Sequence, residues 1–478
     1  CRIPRDIGLK DCRFEAALIL RAAIIDNLFL DGSALPGLQA DALEARGGLY
    51  ARGTTIPGAV RLIGSRLGGS FEGDGASIGS SRNSALDAEG LQARGVYLRG
   101  ARVSGGVNLV GARLSANLDG TGIRLEHPDE AAINADDIEV RGNVALRGAR
   151  IDGEIRLMGA RIGGDIDCTA ASLNHPTGGA LQLNRAVVQG AFFLREGAQI
   201  QGTLDLTGAV IGAIHDEEKS WPIKGDLLLN RCLYGAFIGG PVDAQSRLSW
   251  LARQVPERWG MDFWPQPYEQ LATVFREMGH NEDAIAVLVE KERLARRARR
   301  ARSSIPLWRA VLAMKDGVLG VTLGYGRQPL LAFVWLTLFW ATGVVVFAFA
   351  EHRAAFKPNS PVVLRSNEWT MCGVENSEER FIPSAQQQFR GRAASGQSQL
   401  SCFREQPEAL SYPVFNPWMY SLDTLFPVLE VGQKEFWRPD PLKPWGAFAT
   451  WYFYFQAVVG WALSLLAVAG FSGLVKSR

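Results

Sequence analysis

The sequence predicts a right-handed parallel β-helix, then an α-helical linker, then a two-helix transmembrane domain. Three observations predict it. Apolar positions recur with an eleven-residue step, a longer repeat of 47 to 48 residues overlays them, and two long apolar runs carry no charge.

The eleven-residue step is clearest in VALRGARIDGEIRLMGARIGGDIDCTAASL, which begins at Val144. Leu146, Leu157 and Cys168 are eleven apart, and so are Ile151, Ile162 and Leu173. The steps between the two series alternate five and six, and Ala149, Ala160 and Ala171 each stand two places before a residue of the second series. Leu98, Val103, Leu109 and Leu114 repeat the pattern. A helix would show steps of three and four, and a lone strand steps of two. Steps near five suit a chain wound around a narrow prism. Each face then holds two or three extended residues, with one large side chain inward and a small one at the corner. Glycine near the corners permits tight turns. With roughly 20 residues per coil and strands about 4.8 Å apart, the rod is on the order of 50 Å long.

The longer repeat is marked by GLQADALEARG, ALDAEGLQARG, AINADDIEVRG and ALQLNRAVVQG, which begin at residues 37, 85, 132 and 180. Each unit ends in a polar excursion such as GSSRNS, EHPDE or NHPTGG, expected to stack as loops along one side of the rod. The β-helix domain is read as residues 1–240. Ile3 and Phe14 are already eleven apart, as are Leu9 and Leu20, and CRI fills the slot of ARI. The reading therefore expects the chain to start within a repeat, N-terminally incomplete, with no lipid on Cys1. CRIPRDIGLK has no apolar core of a signal peptide. These repeats resemble the pentapeptide-repeat β-helices, with an extra residue in alternate steps as a departure. Some such proteins mimic DNA with a strongly acidic surface. Here residues 1–240 hold 25 Lys/Arg and 28 Asp/Glu, which argues against mimicry, and no nucleic acid partner is expected.

Residues 241–304 read as a helical hairpin linker. Tyr268, Leu271, Val274 and Phe275 make one apolar stripe, and Gly279 and Asn281 mark the turn. The pattern resembles a single tetratricopeptide-like unit, which cannot build a solenoid alone, so a capping role is expected. Residues 305–327 read as an interfacial helix.

The uncharged runs at 328–350 and 446–475 each exceed the roughly 20 apolar residues that cross a bilayer. The basic stretch KERLARRARRARSSIPLWR precedes the first, and KSR follows the second. Positive charge stays cytoplasmic, so both termini are expected inside and residues 351–446 outside. Arg296, Arg297, Arg299, Arg300 and Arg302 are the expected contacts to anionic lipid of the cytoplasmic face. Cys372 and Cys402 both fall in the outer loop, where an oxidising compartment lets them pair. Net charge is only +2 and names no partner.

One segment in the outer loop fits a pore-loop outline. NPWMYSLDTLFP fits a short helix that Asn416 caps, Pro417 opens and Pro427 ends. VLEVGQ follows. The candidate re-entrant segment is 416–433, with Thr424, Pro427, Glu430, Val431, Gly432 and Gln433 as its candidate pore-loop residues. Potassium filters use two glycines flanking an aromatic residue, whereas EVGQ has one glycine followed by Gln433 and Lys434. A ring of Glu430 side chains would attract cations if several subunits met, so this reading requires a homo-oligomer.

Taken together, the RGARI repeats, PYEQLATVFREMGH, LGYGRQPLLAFVW and YSLDTLFPVLEVGQ resemble bacterial pentapeptide-repeat membrane proteins often labelled membrane-associated oxidoreductases. That resemblance implies a bacterial inner membrane. The residues lend the redox label little support. No glycine-rich motif links a strand to a helix, no CxxC occurs, and the five histidines are scattered. No catalytic residue, cofactor or metal is therefore expected. Three readings stay open: a membrane-anchored scaffold or sensor that binds proteins through stacked loops, an oligomeric two-span channel-like protein, and an oxidoreductase by label only.

Overall fold

The computed structural model describes residues 2–3, 5–79, 84–302, 305–326, 328, 330–382, 386–426 and 428–471. The chain forms two compact units, Cys1–Ala298 and Arg299–Arg478.

The first unit is a parallel β-solenoid of about ten turns followed by helices. Each coil has four faces built from very short strands. In coil order, one coil runs through Ile24–Ile25, Leu28–Phe29, the bridge at Ala34 and Leu38–Gln39. Neighbouring coils pair in parallel register, as in Ile24 with Glu44, Leu28 with Leu49, and Val60 with Leu86. The inward positions are those of the eleven-residue step. Leu146, Ala149, Ile151, Leu157, Ala160, Ile162 and Cys168 are all buried. The alternation of five and six has a local cause. Every other corner is a two-residue turn whose second residue is left-handed, as at Gly148 (φ 60°), Gly159 (φ 69°) and Ala170 (φ 56°).

The 47- to 48-residue repeat proves to be two coils, one short and one long. Arg66 to Gln92 is 26 residues and Gln92 to Arg113 is 21, and both pairs are in register. The extra residues enter between the third and fourth faces. They form loops at 126–131 and 174–179, where the register shifts; the excursion at 80–83 lies outside the described residues. Each loop folds against the next, shorter coil. A side chain at Gly153 (φ 131°) would strike the His127 carbonyl, and one at Gly202 (φ 116°) the His175 carbonyl. Only glycine fits both the conformation and the space.

Three helices close the C-terminal end of the solenoid: α1 (Ala244–Leu251), α2 (Gln266–Glu277) and α3 (Asn281–Ala301). An open solenoid end presents unpaired backbone groups, and side chains from this cap satisfy them. Gln266 accepts from Arg231 N at 2.8 Å and donates to Cys232 O at 3.0 Å. Gln270 donates to Tyr234 O at 2.7 Å. Arg247 of α1 is fully buried and grips Asp216 through two nitrogens, at 2.8 and 2.6 Å. Its guanidinium lies 3.6 Å from the Phe237 ring centre, and Trp221 donates to the same carboxylate at 2.8 Å.

The second unit is helical. α4 (Pro306–Leu323) precedes α5 (Leu331–His352). Short helices follow: α6 (Pro361–Arg365), α7 (Asn367–Cys372), α8 (Gln399–Arg404), α9 (Pro417–Leu425) and α10 (Gln433–Phe436). The last helix is α11 (Pro444–Phe471). Among the described residues, two helices are long and apolar enough to cross a membrane, Leu331–His352 and Pro444–Ala469. A disulfide joins Cys372 to Cys402, with Cα atoms 5.5 Å apart, in a core with Trp369, Phe403, Phe415 and Trp437.

Candidate functional site

The polar heart of the second unit is α9. Asn416 caps it by accepting from Trp418 N at 3.0 Å and Met419 N at 3.3 Å, and Pro417 occupies the first turn. The helix wedges against both long helices. Ser421 donates to the Trp340 carbonyl of α5 at 2.8 Å and accepts from Gln456 of α11 at 2.8 Å. Gly343 and Gly460 make this possible. A side chain at Gly343 would strike the Ser421 hydroxyl, and one at Gly460 the Leu425 carbonyl. Leu425 packs with Leu336 and Leu463, so the wedge reaches well along both helices.

The chain after α9 is pinned by one carboxylate. Asp423 is buried, accepts from Val431 N at 3.2 Å and from Lys434 N at 2.9 Å, and pairs with Lys434 Nζ at 3.4 Å. Gln433 accepts from Asn416 N at 3.0 Å, tying the turn to the helix start. The candidate pore-loop residues thus separate into two groups. Thr424 is buried and spends its hydroxyl on Tyr420 O at 2.8 Å. Gly432 takes a left-handed φ of 82°, and Gln433 is held in the turn. Glu430 and Val431 are exposed beside Val428 and Leu429. Pro427 lies outside the described residues. Asp423 is the residue that sequence reasoning missed. Its signal was available: an acid in an apolar helix beside candidate spans is a functional-site candidate whose partner must be found.

The basic run is partly tied to acids and partly exposed. Arg296 pairs with Glu292 at 3.8 Å and Arg300 with Asp316 at 2.6 Å, while Arg297, Arg299 and Arg302 are exposed. In the stacked loops, His127 bonds Glu130 at 3.2 Å and His175 bonds Gly179 O at 3.2 Å, each within its own loop. Among the described residues no three metal-ligating side chains come together. Cys168 and Cys232 are free thiols, and burial pushes each up to about 12, so neither is a thiolate at neutral pH.

No known family, curated protein or solved structure matches this chain. The fold places it in a class of its own description: a parallel β-solenoid followed by helices, two of them long and apolar enough to span a membrane.

Proposed function

We propose that the chain is a membrane-anchored scaffold. In this reading its solenoid is a right-handed β-helix of the pentapeptide-repeat type that binds another protein along the side bearing the inserted loops. The observation that carries the reading is the solenoid's construction. Its interior is one continuous aliphatic column, its outer charges are tied by ion pairs between coils, and its loops at 126–131 and 174–179 emerge from the same corner two coils apart. A stiff rod with stacked loops is suited to presenting a surface. α5 and α11 serve as the anchors, and Trp451, Val458 and Leu465 on α11 are apolar and exposed, as lipid contact requires. The disulfide favours an outer position for the loop between them, and the free thiols of the solenoid favour the cytoplasm. The test uses the full chain. A protein partner should bind with defined stoichiometry and be lost when the 126–131 and 174–179 loops are shortened. Retention of the partner by the shortened form would sink the loop-side assignment.

A second reading, an oligomeric channel-like protein, is favoured by one observation. α9 inserts between α5 and α11 and delivers Glu430 and Val431 to an exposed tip. Several copies around that tip would form a ring of carboxylates. Planar-bilayer recording decides. The scaffold expects no current, whereas a conductance abolished by Glu430→Gln transfers the conclusion to the channel.

A further inference from the structure

Three arginines stand one above another on the third face of the solenoid. Arg102 pairs in register with Arg124, and Arg124 with Arg150. All three are exposed at the outward position of successive coils, about 4.8 Å apart. Ser77 holds the same position on the coil before, and Ser172 on the coil after. Among the described residues, none of the three arginines forms an ion pair or a side-chain hydrogen bond.

Many other arginines of the solenoid surface are set against acids. On the first face Glu44 meets Arg66 at 3.7 Å, and Glu139 lies between Arg113 at 3.8 Å and Arg161 at 3.3 Å. Corner arginines also find acids across coils, Arg52 with Asp31 at 2.9 Å and Arg147 with Asp167 at 2.9 Å. Like charges facing each other on neighbouring strands destabilise a sheet. The arginine row therefore works against the fold, and an anionic ligand would reverse that.

We propose that Arg102, Arg124 and Arg150, flanked by the hydroxyls of Ser77 and Ser172, bind a row of carboxylates on one face of a partner's α-helix. Guanidinium forks match carboxylates in bidentate geometry. Acids three or four residues apart on a helix rise by about 4.5 to 6 Å per step, close to the coil spacing. Same-face residues of an extended strand are about 6.6 Å apart and drift off the ladder within two coils. Glu126 and Asp152 stand two residues along the same strands and are exposed, so an acidic row runs beside the basic one. A single line of anions fits between those limits. A nucleic-acid duplex, with phosphates spread over two strands, meets the acids as well. The 126–131 loop leaves the rod two residues after Arg124, the middle rung of the row, and the proposal rests on the scaffold reading for its partner being a protein.

The test is fluorescence anisotropy on the purified full chain at low ionic strength, where surface charge is least screened. The probe is a labelled helical peptide with glutamates at three- and four-residue spacing on one face. Saturable binding is expected, weakened at least about tenfold in Arg102→Ser/Arg124→Ser/Arg150→Ser and unchanged in Arg66→Ser/Arg113→Ser/Arg161→Ser. The ladder variant should also melt no lower than the parent, because it loses repulsion. Absent binding, equal loss in both variants, a lowered melting temperature of the ladder variant, or tighter binding of a short DNA duplex or of anionic-lipid vesicles would each overturn the proposal. Peptide binding that survives shortening of the 126–131 loop supports the ladder by itself, even where the loop-side partner of the scaffold reading is not found.

Discussion

The two units of this chain differ in what they bury and in what they leave on the outside. In the solenoid the interior is aliphatic and the charges lie outside, joined coil to coil as in Arg156 with Asp136 at 2.6 Å. In the helical unit the hydrogen-bonding groups of Ser421, Asp423 and Gln456 are buried, while Val345, Trp451, Val458 and Leu465 face outward. The difference teaches which solvent each unit suits. A solenoid in water must bury apolar side chains and can leave charges wet. Helices in lipid gain nothing by hiding leucine, and their specific association depends on close approach and shared polar groups. Gly343, Gly460 and the Ser421–Gln456 bond supply both. This contrast supports the membrane reading of α5 and α11 more directly than their length does.

The comparison breaks first at a large exception. Arg247 and Asp216 are a buried ion pair against the apolar interior of the solenoid's end, with side chains 0% and 3% exposed. Arg247→Ala leaves the Asp216 carboxylate buried without its cation, which costs about 3–5 kcal/mol. Thermal unfolding of the full chain followed by circular dichroism should show a large drop for the β-rich transition. A loss under about 1 kcal/mol would mean that the cap is not held by this pair. The counterpart in the helical unit is smaller. Ser421→Ala removes the acceptor 2.8 Å from Gln456, and a single interhelical hydrogen bond in lipid is worth about 1–2 kcal/mol. Ser421→Ala/Gln456→Leu should recover part of that loss, because it also removes the buried Gln456 amide oxygen, which has no hydrogen-bond partner among the described residues. Melting in detergent that is indifferent to Ser421→Ala would remove the polar lock from the account of α9.

What the sequence made legible follows from the same contrast. The inward series of Leu146, Ile151, Leu157 and Ile162 is readable because a solenoid repeats one local environment, so each position carries the same apolar demand. The candidate spans and the cap at Asn416 are readable for a similar reason: their signals lie within a few residues of the feature. The unreadable features need register. Arg102, Arg124 and Arg150 are spaced by 22 and 26 residues, and only the inserted loop brings the last two into one row. Asp216 and Arg247 lie 31 residues apart, one on a strand end and one on a helix. The two-coil meaning of the long repeat was hidden because its short coil lacks a loop to mark it. Asp423 was overlooked as part of an apolar helix, since its partners are eight and eleven residues ahead, across a turn.

The smallest expected effect sharpens the outer surface of the solenoid. Asp31 meets Arg52 at 2.9 Å, and the side-chain hydrogen bond from Arg52 holds its carboxyl below the usual value of 3.8. A carboxyl lowered on folding contributes stability above its unfolded value, and that stability is lost as pH falls through the folded one. The pair is part-exposed, with Arg52 48% accessible, so solvent screening limits it to about 1 kcal/mol or less. Arg52→Gln should therefore lower the melting temperature slightly at pH 7. The difference from the parent should shrink as pH drops below 3.8 and vanish once Asp31 is protonated in both. High salt at pH 7 should shrink it as well. A difference that persists undiminished in acid would assign the effect to the stacking of Arg52 on Tyr50, whose ring centre is 5.5 Å away, rather than to charge. The paired rows would then owe less to alternating sign than the arginine ladder's contrast with them implies.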